Sequence, residues 1–341
     1  MTPLRRKALA ALARNPAFAS VAVAILIFTA VGSISAAMLG APLPQVGVTA
    51  VFLGLGVGLF EQFYVQSPAG RGLRRMHPLG SIAIYTAVVC LLLLLASAIT
   101  HLLFGVIEEM PADLWRLLHA VPIAIGGSLA GILAMRVIGF LGADTLIHLL
   151  TGKYYRPALE QRIFLFLDMK NSTAIAERLG AIRAMELIRK FLFDLSKPIT
   201  DNHGRIYLYV GDGLIAIWDW SDKEAPPRVF RAIDAAFAAV EREADAYRAQ
   251  FGLVPGFRIG VHGGTVVIAE EGDTRRAIGV FGDPINVAAR MEQVAKERGA
   301  ACIVSADVAR EHASGDPRFR TLPPASVRGV KDPVEIYEYL R

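Results

Sequence analysis

The chain has 341 residues, room for two units of ordinary domain size, and is 54% hydrophobic with only 20% charged residues, a balance that argues against a wholly soluble protein. Its net charge of +5 is concentrated beside apolar stretches, so it gives no reason to invoke a nucleic acid as partner. The two cysteines, Cys90 and Cys302, exclude a disulfide framework or a cysteine-spaced metal site, and both read as buried apolar residues.

The first half of the chain is nearly free of charge. No charged side chain occurs from Ala17 to Phe60, and 78–107 and 117–135 each carry a single histidine, His101 and His119. A helix needs about 20 apolar residues to cross a bilayer. Four stretches meet that length: 17–39, 46–64, 79–104 and 117–138, the second interrupted near its end by Glu61. At an interface that carboxylate can snorkel or hydrogen-bond, or it can serve as a functional intramembrane acid. A cleaved signal peptide does not account for the first stretch, whose apolar run is too long and is followed by further spans.

Lysine and arginine placement orients the spans. Arg5, Arg6, Lys7 and Arg14 precede the first, Arg71, Arg74 and Arg75 separate the second from the third, and Arg136, Lys153 and Arg156 lie at or beyond the end of the fourth. The other loops, "GAPLPQ" and "EEMPAD", are uncharged or acidic, with Arg116 the exception. The positive-inside rule then puts both termini of a multi-pass membrane protein in the cytoplasm. The expected division is a transmembrane domain with a linker helix over 1–152 and a cytoplasmic domain over 153–341.

From Arg162 the pattern becomes that of a globular α+β domain. "RIFLFLD" is a short β-rich apolar run ending at Asp168, and "MKNSTAIAERLG" opens a helix on capping residues. "AIRAMELIRKFLFDLSKPIT" is an amphipathic helix. "GRIYLYVGDGLIAIWDW" is a hairpin turning at Gly211-Asp212-Gly213, and "PPRVFRAIDAAFAAVEREADAYRAQF" is a further helix. "GFRIGVHGGTVVIAE" and "RRAIGVF" are strands, "FGDPINVAARME" starts a helix, and "ACIVS" and "VEIYEYL" close the domain as strands. The order β-α-α-β-β-α-β-β-α-β-β implies a mainly antiparallel sheet with helices on one face.

Two acids stand out in this arrangement. In a ferredoxin-like βαββαβ order, Asp168 and Asp212 fall on adjacent central strands beside a helix N-terminus, a setting for hard divalent cations and phosphate. Taken singly, Asp168 reads better as a helix cap and Asp212 as a turn residue; taken with Asn286 and Arg290, the site reading is favoured. Asn286 and Arg290 lie four apart on one helix face, as a solvated pair or as two donors aimed at an anion.

"FLFLDMKNSTAIAE", "YVGDGLIAIW" and "FGDPINVAARME", in that order, resemble the catalytic domain of class III nucleotidyl cyclases over roughly Arg162 to the C-terminus. The membrane half and the "GKYYRP" linker also look like those of multi-span bacterial members. The resemblance implies a head-to-tail homodimer in which one subunit supplies the metal-binding Asp168 and Asp212 and the other supplies Asn286 and Arg290. It further implies two Mg²⁺ or Mn²⁺ ions per site, with the Met169 carbonyl as an added ligand. Phosphates would rest on the backbone from Met169 through Lys170, Asn171 and Ser172 to Thr173, and Lys331 is either a phosphate ligand or an exposed loop lysine. The implied reaction is attack of the ribose 3′-hydroxyl of ATP on its own α-phosphorus with loss of pyrophosphate.

The chain departs from the family at the base-reading positions, where Leu208 and Gly279 replace the usual polar side chains, so GTP stays open beside ATP. A diguanylate cyclase would need a "GGDEF"-like hairpin where this chain has "VGDGL". A catalytically dead cyclase-like module under a membrane sensor would commonly lose a metal ligand or the arginine, and all four residues are present.

Overall fold

The computed structural model describes residues 21, 25, 26, 28–30, 32, 33, 43–65, 67–70, 72, 73, 76, 78–104, 145, 148, 151–273, 276–313, 315–326 and 332–341. The chain divides into two compact units, Met1–Gly152 and Lys153–Arg341.

In the first unit, α1 (Leu43–Leu59) runs on into a π-helical turn, Phe60–Val65, and α2 covers Pro78–Phe104. Within them Pro44–Val65 and Ala83–Thr100 are long and apolar enough to cross a membrane. Leu53 and Val57 of α1 pack with Phe28 and with Val89 of α2. Polar ties join the same two helices: Thr49 Oγ1 and Thr100 Oγ1 lie 2.8 Å apart, and the Tyr85 hydroxyl donates to Glu61 at 2.5 Å. Glu61 therefore hydrogen-bonds to a neighbouring helix, from a turn whose π geometry shifts the residues that follow around the axis. Cys90 is exposed, against expectation, whereas Cys302 is buried. Of the other apolar stretches, 17–39 is described only at scattered positions and 117–138 lies outside the described residues.

The second unit is built on one eight-stranded sheet, ordered β2-β3-β1-β4-β6-β8-β7, with β5 paired to the far end of β4. Its strands are β1 (Ala158–Met169), β2 (Arg205–Val210), β3 (Gly213–Asp219), β4 (Phe257–Glu271), β5 (Ala277–Phe281), β6 (Cys302–Ser305), β7 (Phe319–Ala325) and β8 (Val334–Tyr339). Its helices are α3 (Ser172–Leu179), α4 (Ala181–Asp201), α5 (Ala225–Arg242), α6 (Ala244–Phe251), α7 (Asp283–Arg298) and α8 (Ala306–Ala313). All pairings are antiparallel except that of β4 with β6.

From Ile163 to Leu167 strand β1 is apolar without alternation, and side chains on both of its faces are buried there. Ile163, Leu165 and Leu167 pack under Leu187, Phe191 and Leu195 of α4 and Val229 and Ile233 of α5. Phe164 points the other way, into a cluster with Val266, Ile268 and Ala288 of α7. Helices thus cover both faces of the sheet, not one, because a central strand apolar on both sides needs two lids.

The single helix expected after β3 is two, α5 and α6, meeting at Glu243, whose carboxylate pairs with Lys190 of α4 at 2.9 Å. Helix α8 and strand β7 were not anticipated. Strand β7 contains Pro323 and Pro324, which lack the N–H a central strand needs, and it accordingly pairs only with β8 at the sheet edge.

The second lid lies unusually close. A Cβ added at Gly260 of β4 would sit 2.3 Å from the Glu292 nitrogen and 2.4 Å from the Ala288 carbonyl oxygen of α7, both backbone atoms. Gly260→Ala should therefore push α7 off the sheet and destabilise the protein by about 1–3 kcal/mol. A thermal unfolding curve of the full-length variant matching wild type would show that α7 does not depend on this contact.

Candidate active site

Asp168, the last residue but one of β1, occupies the α7 side of the sheet because it lies two and four residues beyond Phe166 and Phe164. Its cross-strand partner on β4 is Arg258. On the other flank, Val210 pairs with Gly213 and leaves Gly211–Asp212 as a two-residue loop, with Gly211 at φ 60° in the first central position, as primed hairpin turns require. Gly213 permits close approach: a Cβ there would lie 2.3 Å from the Leu167 carbonyl oxygen and 3.1 Å from an Asp168 carboxylate oxygen. The sheet thus brings Asp168 and Asp212 together.

These carboxylates are poorly compensated. Burial pushes the Asp168 carboxyl up to about 6, the charges of Asp212 and Glu292 push the same way, and Arg258 and Lys296 oppose. Asp212 Oδ2 is buried and has no hydrogen-bond partner among the described residues. A buried carboxylate oxygen left without a donor is costly unless a cation meets it. The donor set, hard oxygens from two aspartates, fits Mg²⁺ or Mn²⁺. Among the described residues no three His, Cys, Asp or Glu side chains converge on one point, so such an ion would rest on this pair with backbone or ligand oxygens completing its shell.

Met169 closes β1 opposite Phe257, its side chain buried in the main core. The next N–H, that of Lys170, donates to the Gly256 carbonyl at 2.8 Å and is spent, which corrects the expectation that the whole Met169–Thr173 backbone is available. Asn171 is the N-cap of α3 in the left-handed region, φ 58°, a conformation asparagine tolerates better than most residues, and its side chain makes no cap bond. The first intrahelical bond runs from Ile175 N–H to the Asn171 carbonyl, so the N–H groups of Asn171, Ser172, Thr173 and Ala174 fall outside the helix ladder. Burial together with Arg258 holds the Lys170 ammonium below its ordinary range.

Asn286 and Arg290 are not part of this cluster within one chain. Helix α7 turns Glu292 and Lys296, four residues apart, toward the aspartates. At roughly 100° per residue, Arg290 projects about 140° away from that pair and Asn286 about 100° away, on the flank of the helix. Asn286 is exposed, and Arg290 has no ion pair or hydrogen bond among the described residues.

Leu208 is 51% exposed and continues into exposed Tyr209 and Val210 on β2. Gly279, on β5, is covered by a neighbour's side chain: a Cβ there would be 2.7 Å from Glu271 Oε2. Lys331 lies outside the described residues. Sequence reasoning passed over Arg258, Glu271 and Glu292. Arg258 and Glu271 sit in strand patterns that read as ordinary alternation, and Glu292 sits in a helix where an acid reads as solvated.

Residues 155–339 match the family model described as the adenylate and guanylate cyclase catalytic domain. Adenylate cyclase 2 of Rhizobium meliloti (strain 1021) is 32% identical over 292 residues, covering 83% of this chain and 77% of that protein. An adenylate cyclase of Anabaena cylindrica is 28% identical, over 51% of this chain and 36% of the relative. Among solved structures, a bacterial light-regulated adenylyl cyclase aligns with a TM-score of 0.53 at 20% identity, over 68% of this chain and 65% of that one, a likeness of fold.

A carboxyl raised from 3.8 to about 6 lowers stability progressively as pH rises between those values and keeps it lowered above them. In cation-free buffer Asp168→Asn should therefore raise the unfolding temperature of the full-length protein at pH 8, and the gain should shrink toward pH 4. An equal gain at both pH values would mean that ionisation of Asp168 is not its source.

Proposed function

The chain belongs to the class III adenylate and guanylate cyclase family, and on that footing we propose that it is a membrane-anchored adenylate cyclase working as a head-to-tail homodimer. The observation that carries this reading is the division of labour on α7. One side faces the half-buried aspartate pair of its own chain, and Asn286 and Arg290 project away from that pair, Arg290 with no ion pair or hydrogen bond among the described residues. Residues that serve a site across a dimer interface would be arranged in that way.

In the proposed reaction the 3′-hydroxyl of ATP attacks the α-phosphorus and pyrophosphate departs, giving 3′,5′-cyclic AMP. Asp168 and Asp212 would hold two divalent cations, Mg²⁺ or Mn²⁺, which when bound neutralise phosphate charge and make the hydroxyl easier to deprotonate. The unladdered N–H groups of Asn171, Ser172 and Thr173 donate to polyphosphate oxygens at a helix N-terminus. Arg258 and Lys170 lie beside Asp168 and bring positive charge to the same anion. From the partner subunit, the residue at position 290 stabilises charge growing on the α-phosphoryl group and the one at 286 orients the ribose. Met169 would lend its carbonyl and Lys331 its ammonium.

The two apolar helices support a bilayer anchor, extended in this proposal to four spans with both termini in the cytoplasm of the inner membrane. At the base, Leu208 offers guanine no acceptor, which favours adenine; the Glu271 carboxylate over Gly279 can accept from either base and does not choose between them.

Two measurements test the proposal. Asp212→Asn and Arg290→Ala should each be inactive as homodimers. Random co-assembly of the two should recover about a quarter of wild-type activity, since half the dimers are mixed and one of their two sites is intact. Verified heterodimers without activity would mean that the residues act within one chain. In the second, kcat/KM with Mn²⁺ should favour ATP over GTP by about tenfold, equivalent to about 1.4 kcal/mol. A preference for GTP would reassign the product.

A further inference from the structure

Glu292 is a misfit in this site. It is only 7% exposed, and its Oε1 is buried and accepts no hydrogen bond among the described residues. Burying an acid near two other acids works against folding, and nothing in the proposed chemistry requires a third carboxylate there. Its placement is nevertheless tightly determined. The contact of α7 with Gly260 puts the Glu292 backbone directly on β4, two residues along the same strand face from Arg258. The Glu292 Oε1 to Arg258 Nη1 separation is 3.9 Å, an ion pair too long to be a hydrogen bond.

Arg258 has a second carboxylate within its reach. Asp168 is directly opposite it on β1, and a guanidinium beside a carboxylate readily forms a bidentate pair. Such a pair would occupy the oxygens that a cation needs. Its absence from the structure coincides with Glu292 drawing Arg258 from the helix side, while Lys296, one turn on, balances part of the added negative charge.

We propose that Glu292 is a positioning residue that holds the Arg258 guanidinium off Asp168, leaving both aspartates open to a divalent cation and the guanidinium loosely held for an incoming polyphosphate. This rests on the reading of Asp168 and Asp212 as the cation site. The length of the ion pair suits the role. An arginine locked by short bidentate bonds would have to break them to meet phosphate, whereas one held by charge alone can turn toward a stronger anion.

The experiment measures Mn²⁺ binding to the full-length protein without nucleotide, by titration of free Mn²⁺ by electron paramagnetic resonance. Glu292→Gln should weaken Mn²⁺ binding about tenfold, because Arg258 then competes for Asp168. The same change made in an Arg258→Gln background should have little effect. That non-additivity separates positioning from a direct effect of the Glu292 charge, which would weaken binding equally in both backgrounds. Equal losses, or no loss in the single variant, overturn the proposal. Asp212→Asn is measured alongside. If it leaves Mn²⁺ binding intact, the cation-site reading fails; if it abolishes binding while Glu292→Gln does not weaken it, only the role of Glu292 fails. Should the glutamine variant not fold, Glu292→Met, of similar length and also uncharged, replaces it in the same cycle.

Discussion

The apolar stretch of strand β1 is buried on both faces and is followed by a carboxylate, and most of the second unit follows from covering it. Helices α4 and α5 satisfy one face and α7 the other, so the sheet becomes the middle layer of three. The alternation that sends Leu165 and Leu167 under α4 and α5 sends Phe164, Phe166 and Asp168 toward α7. The active corner therefore forms where the strand runs out of apolar side chains, beneath the helix that carries the remaining charged groups.

Two glycines make that corner possible by removing atoms. Gly213 lets the β2–β3 hairpin come close enough to bring Asp212 beside Asp168, and Gly260 lets α7 rest its backbone on β4. Both approaches are shorter than any Cβ would allow, so the electrostatics of the site are set by backbone packing. The result is an excess of negative charge in a half-buried place, expressed as the raised Asp168 carboxyl and the unpartnered oxygens of Asp212 and Glu292. Such an excess of buried negative charge costs stability unless a positive charge offsets it, the common trade between function and folding.

In the first unit, α1 and α2 are held by apolar packing and by two polar ties between the helices, Thr49–Thr100 and Glu61–Tyr85. The π turn that carries Glu61 is a local departure from regular helix at a polar side chain in an apolar run. That combination is expected where the side chain's partner matters more than the helix ladder.

What the sequence determined by itself is whatever depends on neighbours along the chain. The apolar run closing at Asp168, the Gly-Asp-Gly hairpin, the apolar lengths of α1 and α2, and the i to i+4 pairing of Asn286 with Arg290 are all local patterns with a fixed period. Three motifs in order were enough to name the family. What only the tertiary structure decided is which of these patterns meet. Lys170's N–H is lost to Gly256 from a distant loop, Arg258 becomes Asp168's neighbour through strand register, and Glu292 reaches the site through a helix–sheet contact at Gly260. Strand β7 escaped notice because its two prolines read as a loop, and an edge position paired to β8 is what makes it a strand. Likewise the opposite aims of Glu292 and Arg290 on α7 have no meaning until the sheet lies against one side of the helix. Periodicity states which residues share a face; only packing states what that face touches.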